Sequence, residues 1–205
     1  MIMPSVLLPP QWTVEDHLIP LWNTFPLRFV EEDQMMHWPS DSYALLQRDI
    51  IFDISIQNAL HINWLNLLRY YIDFKSLNWS AHRIEEIFTA LHEALANNIL
   101  WANLDLKEIW NRQENPFSLQ EIIHKRFENP LYQKKPLRVC FDMKKNVLTC
   151  FIEHKGQAFI FDPSDARPAY KGTSIINTLA NHVETAANGQ GLILTFEQKS
   201  CSHAS

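Results

Sequence analysis

The chain has only 4 glycines among 205 residues and only 3 cysteines. With 46% hydrophobic residues, 20% charged residues and 7 tryptophans, so little glycine excludes a disordered or low-complexity chain and points to a well-packed globule. Cys140, Cys150 and Cys201 are odd in number and lack metal-ligand spacing. A chain of this length buries a core without covalent staples, so its size demands no disulfides. No run approaches the roughly 20 apolar residues that span a bilayer. The start MIMPSVLLPPQW lacks the basic flank and small-residue cleavage site of a signal peptide. These absences give the expectation of a cytoplasmic protein without membrane contact. Positive charge is scarce as well. A formal charge of -5 and a pI near 6.0 argue against nucleic acid as a partner, because phosphate binding calls for a basic stripe. The only basic cluster, Lys134 and Lys135 with Arg138, is too small to supply one.

What is present divides into three regions: an extension over 1–48, one domain over 49–198 and a tail over 199–205. The extension is rich in proline and aromatic residues and lacks a sustained period, which suggests a segment that wraps or docks. Residues 49–56, DIIFDISI, are β-branched and partly alternating, as a strand requires. Residues 61–72 repeat their apolar positions at helical spacing. Ser80 is placed to cap a longer helix reaching about 102, whose buried stripe is Ile84, Ile87, Phe88, Leu91, Leu95, Ile99 and Leu100. A short helix is expected over 119–128, capped by Ser118 and stopped by Asn129-Pro130. Strands are expected at 137–143, 147–154 and 157–161, a helix at 173–186 and a last strand at 192–196. A turn near 144–146 would set Cys140 and Cys150 roughly opposite one another, as two packed thiols in a reducing compartment. The order of elements implies α+β architecture: a two-layer α/β sandwich with a mixed sheet covered on one face by helices.

The helix over 80–102 raises a question of its own. It carries Glu93, Asn97, Asn98 and Asn103 beside an apolar stripe, and isolated polar groups on a packed face cost free energy unless they are paired. Glu93 and Asn97 stand one helical turn apart and share a face. Residues 91–104, LHEALANNILWANL, resemble the N-box helix of the anti-sigma-factor serine kinases, small members of the ATPase superfamily of gyrase, histidine kinases and MutL. That helix reads approximately E-A-x-x-N-A-I-x-H-G-N. Glu93, Asn97 and Asn103 fall on matching positions, while Trp101 and Ala102 replace the usual His-Gly. Residues 150–159, CFIEHKGQAF, are similar to the strand leading into the adenine-binding D-x-G-x-G-F loop. Residues 171–179, KGTSIINTL, resemble the G-x-G-L segment that ends the ATP lid.

The resemblance, which covers about 48–198, implies a Bergerat-type sandwich and a site for Mg-ATP. Asn97 would ligate magnesium, a hard cation that needs few protein oxygens. Glu93 would orient or deprotonate the attacking serine hydroxyl of a partner protein. Gly172, Thr173 and Ser174, at a helix start, would hold phosphate oxygens, and His154 and Gly156 would line the base. The implied partners are an anti-sigma-antagonist and a sigma factor, with a homodimer as the oligomeric state. The chain departs from the pattern at three places. His154 replaces the aspartate that accepts the adenine amino group, Ala158 replaces a loop glycine, and Tyr170 replaces the first glycine of the lid motif. Reading Glu153 as that aspartate instead misplaces Gly156 and Phe159. These departures keep a second possibility open, a protein-binding pseudokinase without ATP turnover. A third is an unrelated regulator with a similar sandwich. His17, His61, His82 and His92 show no metal spacing and are expected to be structural.

Overall fold

The computed structural model describes residues 5–9, 27–37, 48–106, 116–158, 171–186 and 189–198. Its strands are β1 Ser5–Leu8, β2 Leu27–Glu31, β3 Ile50–Ser55, β4 Pro136–Lys144, β5 Val147–His154, β6 His182–Thr185 and β7 Gly191–Glu197. They form one seven-stranded mixed sheet in the order β1-β2-β3-β4-β5-β7-β6. The first three run parallel and every other neighbouring pair runs antiparallel. The helices are α1 Ile56–Ala59, α2 Trp64–Phe74, α3 Ala81–Asn97, α4 Pro116–Glu128, α5 Pro130–Gln133 and α6 Lys171–Leu179, with a π turn Asn98–Asn103 prolonging α3. The architecture is α+β, with a helical layer packed on one face of the sheet. Among the described residues no helix is long and apolar enough to cross a membrane.

Strand pairing explains which side chains meet that layer. Leu27, Phe29, Ile50, Phe52, Val139, Phe141, Cys150, Ile152, Leu194 and Phe196 alternate onto the helical face and join Trp64, Leu67, Tyr71, Ile87 and Leu91 in one core. Phe52 stacks on Phe29 at 5.4 Å between centroids and meets Trp64 edge-on at 5.7 Å. Each such aromatic contributes about 1.5–3 kcal/mol by leaving water. The opposite face carries a different solution. Asp53, 0% exposed, accepts Arg138 Nε at 2.5 Å, Arg138 Nη2 at 2.9 Å and Arg28 Nε at 2.5 Å. Burial opposes the Arg138 charge, but Asp53 outweighs it and leaves the guanidinium pKa raised.

Several expectations need correction. The proline-rich extension supplies β1 and β2, so part of 1–48 belongs to the sheet. Its Leu27–Glu31 segment is entirely buried because it lies between β1 and β3. The helix expected at 173–186 runs instead over Lys171–Leu179, and His182–Thr185 becomes the edge strand β6. At Asn181 the backbone N–H donates to Thr195 O at 2.9 Å, which starts the pairing with β7. Ser118 lies inside α4 rather than before it. Of the strand expected at 157–161, residues 157 and 158 are irregular and the rest lie outside the described residues.

The β4–β5 hairpin turns on Lys145 and Asn146, both at positive φ, the geometry of a two-residue hairpin loop. That turn pairs Cys140 with Phe151 and Phe141 with Cys150. The two cysteines therefore point to opposite faces, and both are free and buried. Burial pushes the Cys140 thiol up to about 12 and the Cys150 thiol higher still; both are packed thiols.

Candidate functional site

The site is built outward from α3. Ser80 caps the helix as expected, its hydroxyl accepting the Arg83 N–H at 3.1 Å. Arg83 then ties the helix start to its neighbours, donating to Leu179 O at 3.1 Å and to Asn181 Oδ1 at 2.6 Å. At the far end Glu93 is half-buried and Asn97 is buried, so neither sits on an ordinary exposed polar face. At Asn98 the side-chain Nδ2 donates back to Ala94 O at 2.7 Å, and the backbone widens into the π turn. Leu104 N closes that turn on Ile99 O at 2.8 Å. Turns of this kind re-aim side chains within a helix and gather at functional sites. Here the indole Nε1 of Trp101 donates to Asn97 Oδ1 at 3.1 Å.

The start of α6 rests on the same place. A Cβ added at Gly172 would lie 2.5 Å from Glu93 Oε2 and 3.3 Å from Asn97 Nδ2. A methyl group here would push the ends of the Glu93 and Asn97 side chains aside. Thr173 is buried and Ser174 exposed in the first turn of α6, where backbone N–H groups are offered to a cap or a ligand.

His154 ends β5 on the helical face, opposite Leu137, and is 0% exposed. Burial, and secondarily the Lys155 charge, push its pKa down to about 4. The ring is therefore neutral near pH 7 and offers one donor and one acceptor. Glu153 points to the other face, paired with Arg138 across the strands, so the reading that placed Glu153 at the base does not fit. Gly156 is pressed onto the π turn: a Cβ there would lie 2.1 Å from Ala102 O and 2.4 Å from its carbonyl carbon. Gln157 N donates to Ala102 O at 3.2 Å, and Gln190 Nε2 donates to Gly156 O at 3.3 Å. Ala158 is exposed. Phe159 and Tyr170 lie outside the described residues.

The structure thus brings Glu93, Asn97 and Gly172 into contact and sets Gly156 against the π turn that continues from them. Sequence reasoning placed Trp101 beside the site but not its bond to Asn97, and missed Lys135. Trp101 stands four residues after Asn97, a spacing at which helical side chains meet. Lys135 has no local signature; its Nζ donates to Asn103 O at 2.5 Å and pairs with Asp105 at 2.9 Å. Among the described residues, four buried side-chain atoms here have no hydrogen-bond partner: Asn97 Nδ2, Asn98 Oδ1 and both polar atoms of Asn103. Among the described residues no group of three or more histidine, cysteine, aspartate or glutamate side chains is placed to hold a metal. No protein-family model matches the chain, and no curated protein matches it.

Proposed function

We propose that the chain is a regulator of the kind represented by the anti-sigma-factor serine kinases, with a Bergerat-type site for a magnesium nucleotide between α3, the Gly156 loop and the start of α6. The observation that carries this reading is the packing of Gly172 against Glu93 and Asn97. Residues chosen from two separate motifs, far apart in sequence, meet at one point. The donor set suits the ligand. Asn97 Oδ1 has two lone pairs, one engaged by Trp101 and one left for a hard cation. The bare Gly172 backbone leaves the first turn of α6 beside it.

On this reading Glu93 accepts the proton of an attacking hydroxyl, which arrives on the serine of a protein substrate. The N–H groups of Gly172, Thr173 and Ser174 hold phosphate oxygens, and neutral His154 contacts the base. Bound magnesium supplies charge neutralisation on the phosphates. The partners are an anti-sigma-antagonist-like protein and a sigma factor, with the chain itself pairing as a homodimer. A second reading, a binding module without turnover, draws support from Trp101. Its hydrogen bond occupies the very oxygen that would ligate the metal.

Calorimetric titration of Mg-ATP, Mg-ADP and Mg-GTP into the wild type and Asn97→Ala tests the reading. Saturable binding by the wild type that is lost in the variant supports it. A folded, monodisperse wild type that binds none of the three refutes it. Binding without phosphoryl transfer to any serine of an added anti-sigma-antagonist favours the second reading.

A further inference from the structure

Asn103 is an expensive residue where it stands. It is 0% exposed, and among the described residues neither Oδ1 nor Nδ2 has a hydrogen-bond partner. An apolar side chain of the same size would avoid that desolvation cost. Its backbone is fastened on three sides. Lys135 holds its carbonyl, Gly156 presses on the Ala102–Asn103 peptide, and Leu104 N closes the π turn on Ile99 O. The Gly156 loop that clamps it is the loop that follows His154 directly.

We propose that Asn103 determines the specificity of the site by reading the edge of the ligand's base. The proposal rests on the nucleotide-binding reading above. A planar primary amide presents an acceptor beside a donor, and its complement is a ring edge carrying a donor beside an acceptor. Purines carry such edges, and asparagine pairs with adenine in this bidentate way elsewhere in nature. The carboxylate usual at the position of His154 is absent, so a rigid, idle amide in the neighbouring turn supplies the discrimination that a lost hydrogen bond would forfeit. The polar pair is kept at a cost to the ligand-free fold because the ligand is what satisfies it.

The test compares wild type with Asn103→Leu, with Asn103→Ala as a second variant should leucine not fit. Adenosine, Mg-ATP and Mg-GTP are titrated calorimetrically into each, and each is melted thermally without ligand. Adenosine has no phosphate, so its binding reports the base contact alone. The expected result is a melting temperature for Asn103→Leu at or above that of wild type, with affinity for adenosine and Mg-ATP lower by about tenfold or more. Equal affinities in wild type and variants overturn the proposal, assign the amide to an internal water and leave the nucleotide-binding reading standing. A sharp fall in the melting temperature of both variants also overturns it, since the amide would then be partnered within the ligand-free protein. A wild type that binds no nucleotide refutes both readings, which separates that failure from the first two.

Discussion

The two faces of the sheet bury polar groups in opposite ways. On one face Asp53 is held by Arg28 and Arg138 through three hydrogen bonds of 2.5–2.9 Å. On the other, where β5 meets the end of α3, Asn97, Asn98 and Asn103 are buried with four polar atoms that lack partners among the described residues. The first group is satisfied within the chain and belongs to the fold. On the proposed reading the second group is completed by the ligand. Buried polar groups are normally satisfied; among the described residues four of the exceptions gather here, while Gln34 Oε1, Trp79 Nε1 and Arg126 Nη1 are further ones elsewhere.

The sharpest way to break the contrast is to remove the centre of the satisfied group. Asp53→Ala leaves two buried guanidinium groups without their carboxylate and should cost about 3–5 kcal/mol in denaturant unfolding. An effect below 1 kcal/mol would show that the cluster is not what holds this face. Next in size is His154. Its folded pKa of about 4 lies below the ordinary histidine value, so the unfolded chain binds the proton first as pH falls. The neutral ring stabilises the fold above pH 6.5, and this contribution is lost progressively from there down to about 4. It amounts to about 3 kcal/mol by pH 4, read as the difference in pH dependence between wild type and His154→Leu.

Gly156→Ala drives a methyl group into the fixed Ala102 carbonyl and should cost about 1–3 kcal/mol. Gly172→Ala meets only the movable ends of Glu93 and Asn97; it should leave the melting temperature nearly unchanged while weakening nucleotide binding. Trp101→Phe removes one hydrogen bond, for about 1 kcal/mol or less of stability. It frees Asn97 Oδ1, so Mg-ATP affinity should rise; unchanged affinity in calorimetry would mean that the indole does not compete for that oxygen.

Much of the fold was legible because period and caps agreed. Ser80 marks the start of α3, and of the apolar stripe that follows Ile84, Ile87, Leu91, Leu95 and Ile99 are buried while Phe88 and Leu100 are half-buried, as a 3.6-residue spacing requires. The contact of Glu93 and Asn97 with Gly172 was legible only through the motif resemblance. What failed did so for local reasons. Ile176, Leu179, Ala180 and Val183 keep helical spacing past the true end of α6, so the four-residue strand β6 was hidden inside a false period. Strand β2 was obscured by the prolines around it, although its LRFVE segment has strand composition. The cysteine pairing was misjudged by one residue, and one residue in a β-hairpin reverses the face. The idle amides were not legible at all. Whether a buried asparagine finds a partner depends on which side chains other elements deliver, and among the described residues none partners the Asn103 amide.

The central claim is that the incomplete group on the helical face is a ligand site built on Asn97. Thermal melting of wild type and Asn97→Ala across a concentration series of Mg-ATP tests it most directly, because a ligand that binds only the folded state raises the transition by mass action. The account predicts a rise that grows with the logarithm of ligand concentration in wild type and is absent in the variant. A wild-type transition that stays fixed at every concentration, or one that rises equally in both proteins, would contradict it.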